Sequence, residues 1–363
     1  MLYNNYKRMR KLLYTLSIMF GLLSCQTSKS KVEQESTLDS TLQINASSIL
    51  KEKLLEVGGQ SGQVIIMETK TGEIKALVGL ERKDSTNYQP NNNFGKADAT
   101  TLFSTMAIMM ALETGKVNLL DTIDVGNGIY ITDSSDSIKD GNWQRGGYGA
   151  ITVEEGIMVN SQVSTILSTE KAFGKGKEFS YEIFNALLDK ISVCKPDSIE
   201  GIEIKQSCKS NRSDKNCMTN SYQYQLTNSH EASPIHTLTF YNAIANDGKM
   251  IKPLLHKNSV EIINPQIASK ETINSIQQAL YRTVEEGLAK PAKSQHCKAA
   301  GQTGSTNLHR QNSKANYAAE FCGYFPADAP KYTVIVVIHK NELPVSGGLM
   351  AGDVFRKIVV SMI

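Results

Sequence analysis

Strand-like patterning at both ends of a helical middle constrains this chain more than any other feature. Residues 62–68 (Gly-Gln-Val-Ile-Ile-Met-Glu) read as a strand, 69–72 as a turn and 73–78 as a second strand, together a hairpin. Three more strand candidates come only at 298–306, 318–324 and 332–340, and a helix runs from about Met350 to the C-terminus. The middle is helical. One helix is expected over 102–113, closed by Gly115, and another over 151–173, opened by a capping box at Thr152-Val-Glu-Glu155. Two more are expected over 232–246, closed by Gly248, and 272–286. Residues 174–230 are polar and irregular. A strand pair, a helical middle, three strands and a final helix predict an antiparallel sheet with helices packed against it.

The N-terminus carries an address. Lys7, Arg8, Arg10 and Lys11 precede an apolar run, 12–23, that is too short to span a bilayer and reads as a signal sequence. The run ends in Leu22-Leu23-Ser24-Cys25, which resembles the bacterial lipobox. That resemblance implies removal of residues 1–24 and a diacylated Cys25, followed by a flexible Ser-, Thr-, Lys- and Glu-rich tether. The expected division is a signal peptide over 1–24, lipidated Cys and stalk over 25–54, and one domain over 55–363. The expected location is the cell envelope, lipid-anchored to a membrane and facing the periplasm or the exterior.

A net charge of +3 over 363 residues, with Lys and Arg dispersed, excludes a nucleic-acid partner. With 40% hydrophobic residues the chain can build a sizeable core. Of six cysteines, setting Cys25 aside leaves five, Cys194, Cys208, Cys217, Cys297 and Cys322, an odd number in an oxidising compartment. Cys208 and Cys217 flank a polar loop and are candidates for a disulfide. No spacing matches a zinc pattern and the histidines are scattered, so no metal and no cofactor are expected.

Five segments carry a resemblance to the transpeptidase domain of penicillin-binding proteins. They are Lys70-Thr-Gly-Glu-Ile-Lys-Ala-Leu-Val-Gly79, Ala111-Leu-Glu-Thr-Gly115, Gly147-Tyr-Gly-Ala-Ile-Thr-Val-Glu-Glu155, 239–253 and Gly323-Tyr-Phe-Pro-Ala-Asp328. The last two look particularly like the class B, cell-division branch. The resemblance runs from about residue 55 to the end. It implies an α+β penicillin-binding/β-lactamase-like fold: an antiparallel five-stranded sheet flanked by helices, plus a mainly helical subdomain.

That family performs acyl transfer with three motifs, and all three depart from the pattern here. A Ser hydroxyl is a weak nucleophile until an amine takes its proton, so Ser-x-x-Lys places both on one helix face. Counting back from Ala111, Thr101 and Ser104 occupy those positions. The second motif, Ser-x-Asn, corresponds to Asn160-Ser161-Gln162; a shifted register, Ser161-Gln-Val163, fits no better. The third, Lys-Thr-Gly, is Gln302-Thr303-Gly304, whose neutral amide carries no charge. Thr303, Gly304 and Ser305 are the expected substrate contacts, with Ser305 N–H available to an oxyanion.

Both lysines are gone, so the resemblance implies a penicillin-binding-protein-like domain without catalysis. Its expected partners are peptidoglycan stem peptides or cell-wall synthesis and division proteins. The alternative is an active serine-type D,D-transpeptidase or carboxypeptidase with relocated groups. Ser-x-x-Lys recurs at Ser28/Lys31, Ser48/Lys51, Ser168/Lys171 and Ser192/Lys195, each out of register and read as chance. No Gly-x-Ser-x-Gly turn accompanies His230, His236, His296 or His309. Met106, Met109 and Met110 read as core.

Overall fold

In the computed structural model the two strand groups meet in one antiparallel sheet. Residues 35–96, 98–132, 135, 137–191, 199, 202, 231–308 and 316–363 are described. Strands β1 (Ser61–Glu68) and β2 (Ile74–Arg82) form the expected hairpin, and a short β3 (Tyr88–Pro90) extends its edge. β4 (Ala300–Asn307), β5 (Tyr317–Phe325) and β6 (Tyr332–Lys340) complete the order β4-β5-β6-β1-β2-β3. The sheet therefore has the five expected strands and a sixth at its edge. β1 runs beside β6 from Ser61 opposite His339 to Glu68 opposite Tyr332, tying the two ends of the domain together.

Both faces of this sheet are covered, so its central strands are apolar on both sides. Val64, Ile65, Ile66 and Met67 are all wholly buried. Period-two alternation sends Ile65 and Met67 into the core under the helical layer, and Val64 and Ile66 into the opposite core.

Helix α1 (Ser40–Val57) lies in that opposite core and corrects the expected boundary. Residues 40–54 were expected as tether, yet Ala46, Leu50 and Leu54 are buried against the sheet. Asp39 starts the helix by accepting from Thr41 N and Leu42 N, and Gly58 ends it in the left-handed region. The stripe at 46, 50 and 54 has helical spacing, a periodicity that the polar composition around it conceals. Lys53, also buried, pairs with Glu56 and with Asp353 of the C-terminal helix, each at 2.8 Å.

On the other face lies α2 (Ser104–Glu113), whose Met106, Met109 and Met110 are core as expected. The helix expected over 151–173 is two: α3 (Val153–Met158), opened by the Thr152–Glu155 capping box, and α4 (Gln162–Phe173). They are separated by a turn in which Asn160 has φ 46°. α5 (Tyr181–Ile191), α6 (Pro234–Ala245) and α7 (Lys270–Glu285) follow. α8 (Asp353–Ser361) packs on the α1 side.

Cys297 and Cys322 are free thiols. Cys25, Cys194, Cys208 and Cys217 lie outside the described residues, so the lipidation and disulfide expectations do too. Among the described residues no helix is long and apolar enough to cross a membrane, and no cluster of His, Cys, Asp and Glu could hold a metal ion.

Candidate active site

Three segments converge at one end of the helical layer: the turn leading into α2, the α3–α4 turn, and edge strand β4. Thr101 precedes α2 and Ser104 begins it. Tyr241 of α6 steadies this end, donating from its hydroxyl to Leu102 O at 2.9 Å and lying 3.0 Å from Thr105 Oγ1. Gly304 brings β4 directly against Thr101. A Cβ at residue 304 would lie 2.6 Å from Thr101 Oγ1, inside contact distance, so the approach requires glycine.

The α3–α4 turn is fixed from behind. Ser161 caps α4, accepting from Ser164 N at 2.9 Å and donating to Asp140 Oδ2 at 2.7 Å. Val163 N donates to Asp140 Oδ1 at 3.1 Å. Burial pushes the Asp140 carboxyl above its ordinary range, against the pull of these donors. The hydroxyl of Ser161 is therefore committed to capping and takes no part at Thr101. Asn160, whose residue type tolerates the left-handed backbone, turns its side chain toward α2 and β4.

The Asn160 carboxamide ties all three segments together. Its Nδ2 donates to Thr101 Oγ1 at 3.1 Å and to Thr303 O at 2.9 Å. Its Oδ1 accepts from Ser104 Oγ at 2.8 Å and from Gln162 Nε2 at 3.3 Å. Gln302 makes a second bridge: its Nε2 donates to Ile157 O of α3 at 2.8 Å and its Oε1 accepts from Thr303 N at 2.9 Å. The structure thus gathers Thr101, Ser104, Asn160, Gln162 and Gln302 into one cluster. Thr101, Ser104, Gln162 and Gln302 are 3%, 4%, 5% and 0% exposed, while Asn160 is half-buried, so the cluster is largely shielded from solvent. Gln162 Oε1 is buried in it without a hydrogen-bond partner.

Every hydrogen-bonding group at Thr101 and Ser104 is a neutral amide or hydroxyl. Among the described residues no Lys, Arg or His side chain joins this network. A hydroxyl beside neutral groups keeps its proton at neutral pH, so the cluster positions an oxygen without activating it.

The expected substrate contacts are only partly available. Gly304 faces Thr101, and strand alternation puts Thr303 and Ser305 on the other side. There Thr303 Oγ1 donates to Glu320 O at 3.2 Å, and Ser305 Oγ accepts from Gly347 N at 2.9 Å. Thr303 is buried, so its hydroxyl is directed inward; Ser305 stays exposed.

Glu320, opposite Gly304 on β5, went unnoticed in the sequence. Its Oε2 accepts from Thr100 Oγ1 at 2.7 Å, and burial raises its carboxyl to about 8. The signal was one acid inside the apolar run Tyr317–Phe325. The alternative Ser-x-x-Lys pairs serve elsewhere: Ser168 is wholly buried in α4, Lys171 pairs with Asp121, and Ser48 and Lys51 lie on α1. Ser28/Lys31 and Ser192/Lys195 lie outside the described residues. His236 is packed, with Nδ1 3.3 Å from Ser233 Oγ; His230 and His309 also lie outside the described residues.

The sequence model of the penicillin binding protein transpeptidase domain matches residues 62–360. The chain is 24% identical over 278 residues to penicillin-binding protein 3 of Bacillus subtilis (strain 168), an alignment covering 70% of this chain and 40% of that protein. It is 24% identical over 123 residues to a peptidoglycan D,D-transpeptidase FtsI homolog of Chlorokybus atmophyticus, covering 33% of this chain and 18% of the relative. The chain thus spans less than half the length of these relatives. Its fold is similar to the TP domain of Burkholderia pseudomallei penicillin-binding protein 3, with a TM-score of 0.74 and 19% identity, over 90% of this chain and 95% of that one. A peptidoglycan glycosyltransferase structure from Burkholderia ambifaria is similar at a TM-score of 0.73 and 20% identity, over 90% and 96% of the two chains.

Proposed function

The chain belongs to the penicillin-binding protein transpeptidase domain family, and on that premise we propose that it is a cell-envelope protein of peptidoglycan synthesis that binds or scaffolds without acyl transfer. The observation that carries the reading is the Asn160 carboxamide. It occupies the junction between Thr101, Ser104 and β4, and among the described residues no amine lies beside either hydroxyl. A positioned general base supplies about 10²–10⁴-fold in rate, and its loss disables the groups that act with it. Two amides and a hydroxyl stand where the family pattern has two lysines and the hydroxyl of the second motif, which supports retirement of the whole unit.

Peptidoglycan stem peptides, or proteins of cell-wall synthesis and division, are the partners this reading assigns. The exposed Ser305 edge of β4 is where a peptide would be met. The second part of the proposal is lipidation of Cys25, supported by the basic and apolar stretch before it and the Leu-Leu-Ser-Cys sequence.

Exposure of the full chain to a fluorescent penicillin, beside an active penicillin-binding protein as positive control, tests the first part. No covalent label is expected. An adduct on Thr101 or Ser104 would establish the alternative, an active serine-type D,D-transpeptidase or carboxypeptidase with relocated groups. For the anchor, Cys25→Ala should move the protein from the membrane to the soluble fraction; retention on membranes at high salt would refute lipidation.

A further inference from the structure

Beside the Thr101 cluster, separated from it by Thr100, the helical-layer face of the sheet borders a cavity of about 680 Å³. Its floor is one row of the sheet, because Gln63, Val337 and Glu320 are successive partners across β1, β6 and β5. Neighbouring strands are about 4.8 Å apart, so Gln63 and Glu320 stand roughly 10 Å apart with Val337 between them. Two acceptors therefore flank an apolar centre. Gln63 Nε2 donates to Asn93 O at 3.2 Å, while Gln63 Oε1 is buried with no partner. Glu320 is 6% exposed and receives a hydrogen bond from Thr100, but among the described residues no Lys, Arg or His pairs with it.

Lys96 and Arg82 of the cavity have partners of their own, His339 contacts Asp98, and Lys83, which also lines it, is exposed. Lys96 Nζ is 3.1 Å from Asp98 Oδ1, and His339 Nε2 is 3.3 Å from Asp98 Oδ2. The Arg82 guanidinium donates to Gly59 O and to Tyr88 OH. We propose that this cavity is a binding site for a small primary amine, whose ammonium pairs with Glu320 and whose alkyl body lies along Val337 toward Gln63. A ligand of this size suits the volume, since small-molecule sites enclose about 300–1,000 Å³. The chemistry follows from what the site lacks. A buried carboxylate without a cation is costly, so Glu320 keeps its proton, and an incoming ammonium supplies the charge that lets it ionise.

Binding is then linked to pH. Burial and the Asp98 charge hold Glu320 protonated up to about 8, and only its ionised form pairs with an ammonium. The titratable groups around it are Asp98, Lys96 and His339 on one side of the cavity and Glu81, Arg82, Lys83 and Asp84 on the other. Behind it, Tyr241 and Cys322 are both pushed upward by burial and so stay neutral.

The test is titration of the full chain with n-butylammonium chloride, followed by ligand-detected NMR, with n-butanol and sodium butyrate as controls. Saturable binding of the amine alone is expected, with affinity rising about tenfold per pH unit below about 8 and levelling above it. Glu320→Gln, which keeps an acceptor for Thr100, should weaken binding at least about tenfold and abolish the pH dependence. Gln63→Glu places a second carboxylate on the cavity floor and should strengthen binding, independently of whether the Glu320 variant folds. No saturable binding of butylammonium, equal binding of butanol, preference for butyrate, or indifference to both substitutions would each overturn the proposal.

Discussion

Asn160 Nδ2 donates to Thr101 Oγ1 at 3.1 Å while Asn160 Oδ1 accepts from Ser104 Oγ at 2.8 Å, so one carboxamide ties up both hydroxyls at the start of α2. Its second Nδ2 bond, to Thr303 O, locks the helical layer onto the edge of the sheet. The hydrogen bonds that close the cluster are made by groups that cannot take up a proton at neutral pH, so it is held together without the means to ionise a hydroxyl.

Side chain and backbone of Asn160 contribute separately to stability. Asn160→Ala removes the carboxamide and leaves its buried partners short of hydrogen bonds, at a cost of about 1–3 kcal/mol. It also puts a Cβ without a compensating amide in the left-handed backbone, adding about 1 kcal/mol. Asn160→Gly loses the same hydrogen bonds without that strain and should be the more stable variant by roughly this increment. Urea unfolding midpoints compare them; equal stabilities would show that the backbone relaxes out of φ 46°.

Gly304→Ala drives a Cβ to 2.6 Å from Thr101 Oγ1. Overpacking of this kind costs about 1–3 kcal/mol. Thr101→Ala removes the opposing hydroxyl, so the double variant should recover at least about 0.5 kcal/mol relative to additivity. A double-mutant cycle measured by thermal unfolding checks this, and simple additivity would mean the strand moves instead.

Glu320 sets a pH dependence of known sign. Its carboxyl is raised from 4.5 to about 8 in the fold, so the native state holds a proton that the unfolded chain releases at lower pH. The stabilisation is complete below the unfolded value near 4.5 and is lost as pH rises through about 8. Glu320→Gln should flatten stability against pH across this window and exceed the wild type at pH ~9 by more than about 1 kcal/mol. Chemical denaturation at pH 5, 7 and 9 measures the slope; an unchanged slope would show that Glu320 is ionised throughout.

The domain starts before residue 55. A chain beginning there loses α1 and uncovers Val64, Ile66 and Ala76, which share the α1 core. Loss of Leu50 and Leu54 alone removes about 1.5–3 kcal/mol each, a large part of an ordinary domain's stability. Such a chain should aggregate or unfold cooperatively at much lower urea, whereas one beginning at residue 36 should match the full chain by circular dichroism.

Much of the architecture was legible because it is local. Alternation and capping signals located β1, β2, β4, β5 and β6, the capping box at Thr152 and the Met-bearing helix, all readable within about ten residues. α1 was missed because its buried stripe is one residue in four among polar neighbours, a pattern that composition averages away. The break between α3 and α4 was missed because Asn160 and Ser161 are compatible with a helix. It is Asp140, distant in sequence, that takes the Ser161 hydroxyl and the Val163 amide and fixes where the second helix starts.

By itself the sequence determined which groups the site would contain: hydroxyls at Thr101 and Ser104 and amides at Asn160, Gln162 and Gln302, with no lysine among them. A residue's capacity to carry charge is intrinsic, and no fold can make an amide a base at neutral pH. Tertiary structure alone decided what those groups do instead. Only the approach of the α3–α4 turn and edge strand β4 to α2 satisfies each hydroxyl with an amide, directs Thr303 inward, and leaves Glu320 buried beside a cavity with no cation paired to it among the described residues. Those outcomes depend on distances between residues far apart in the chain, and a linear pattern carries no information about them.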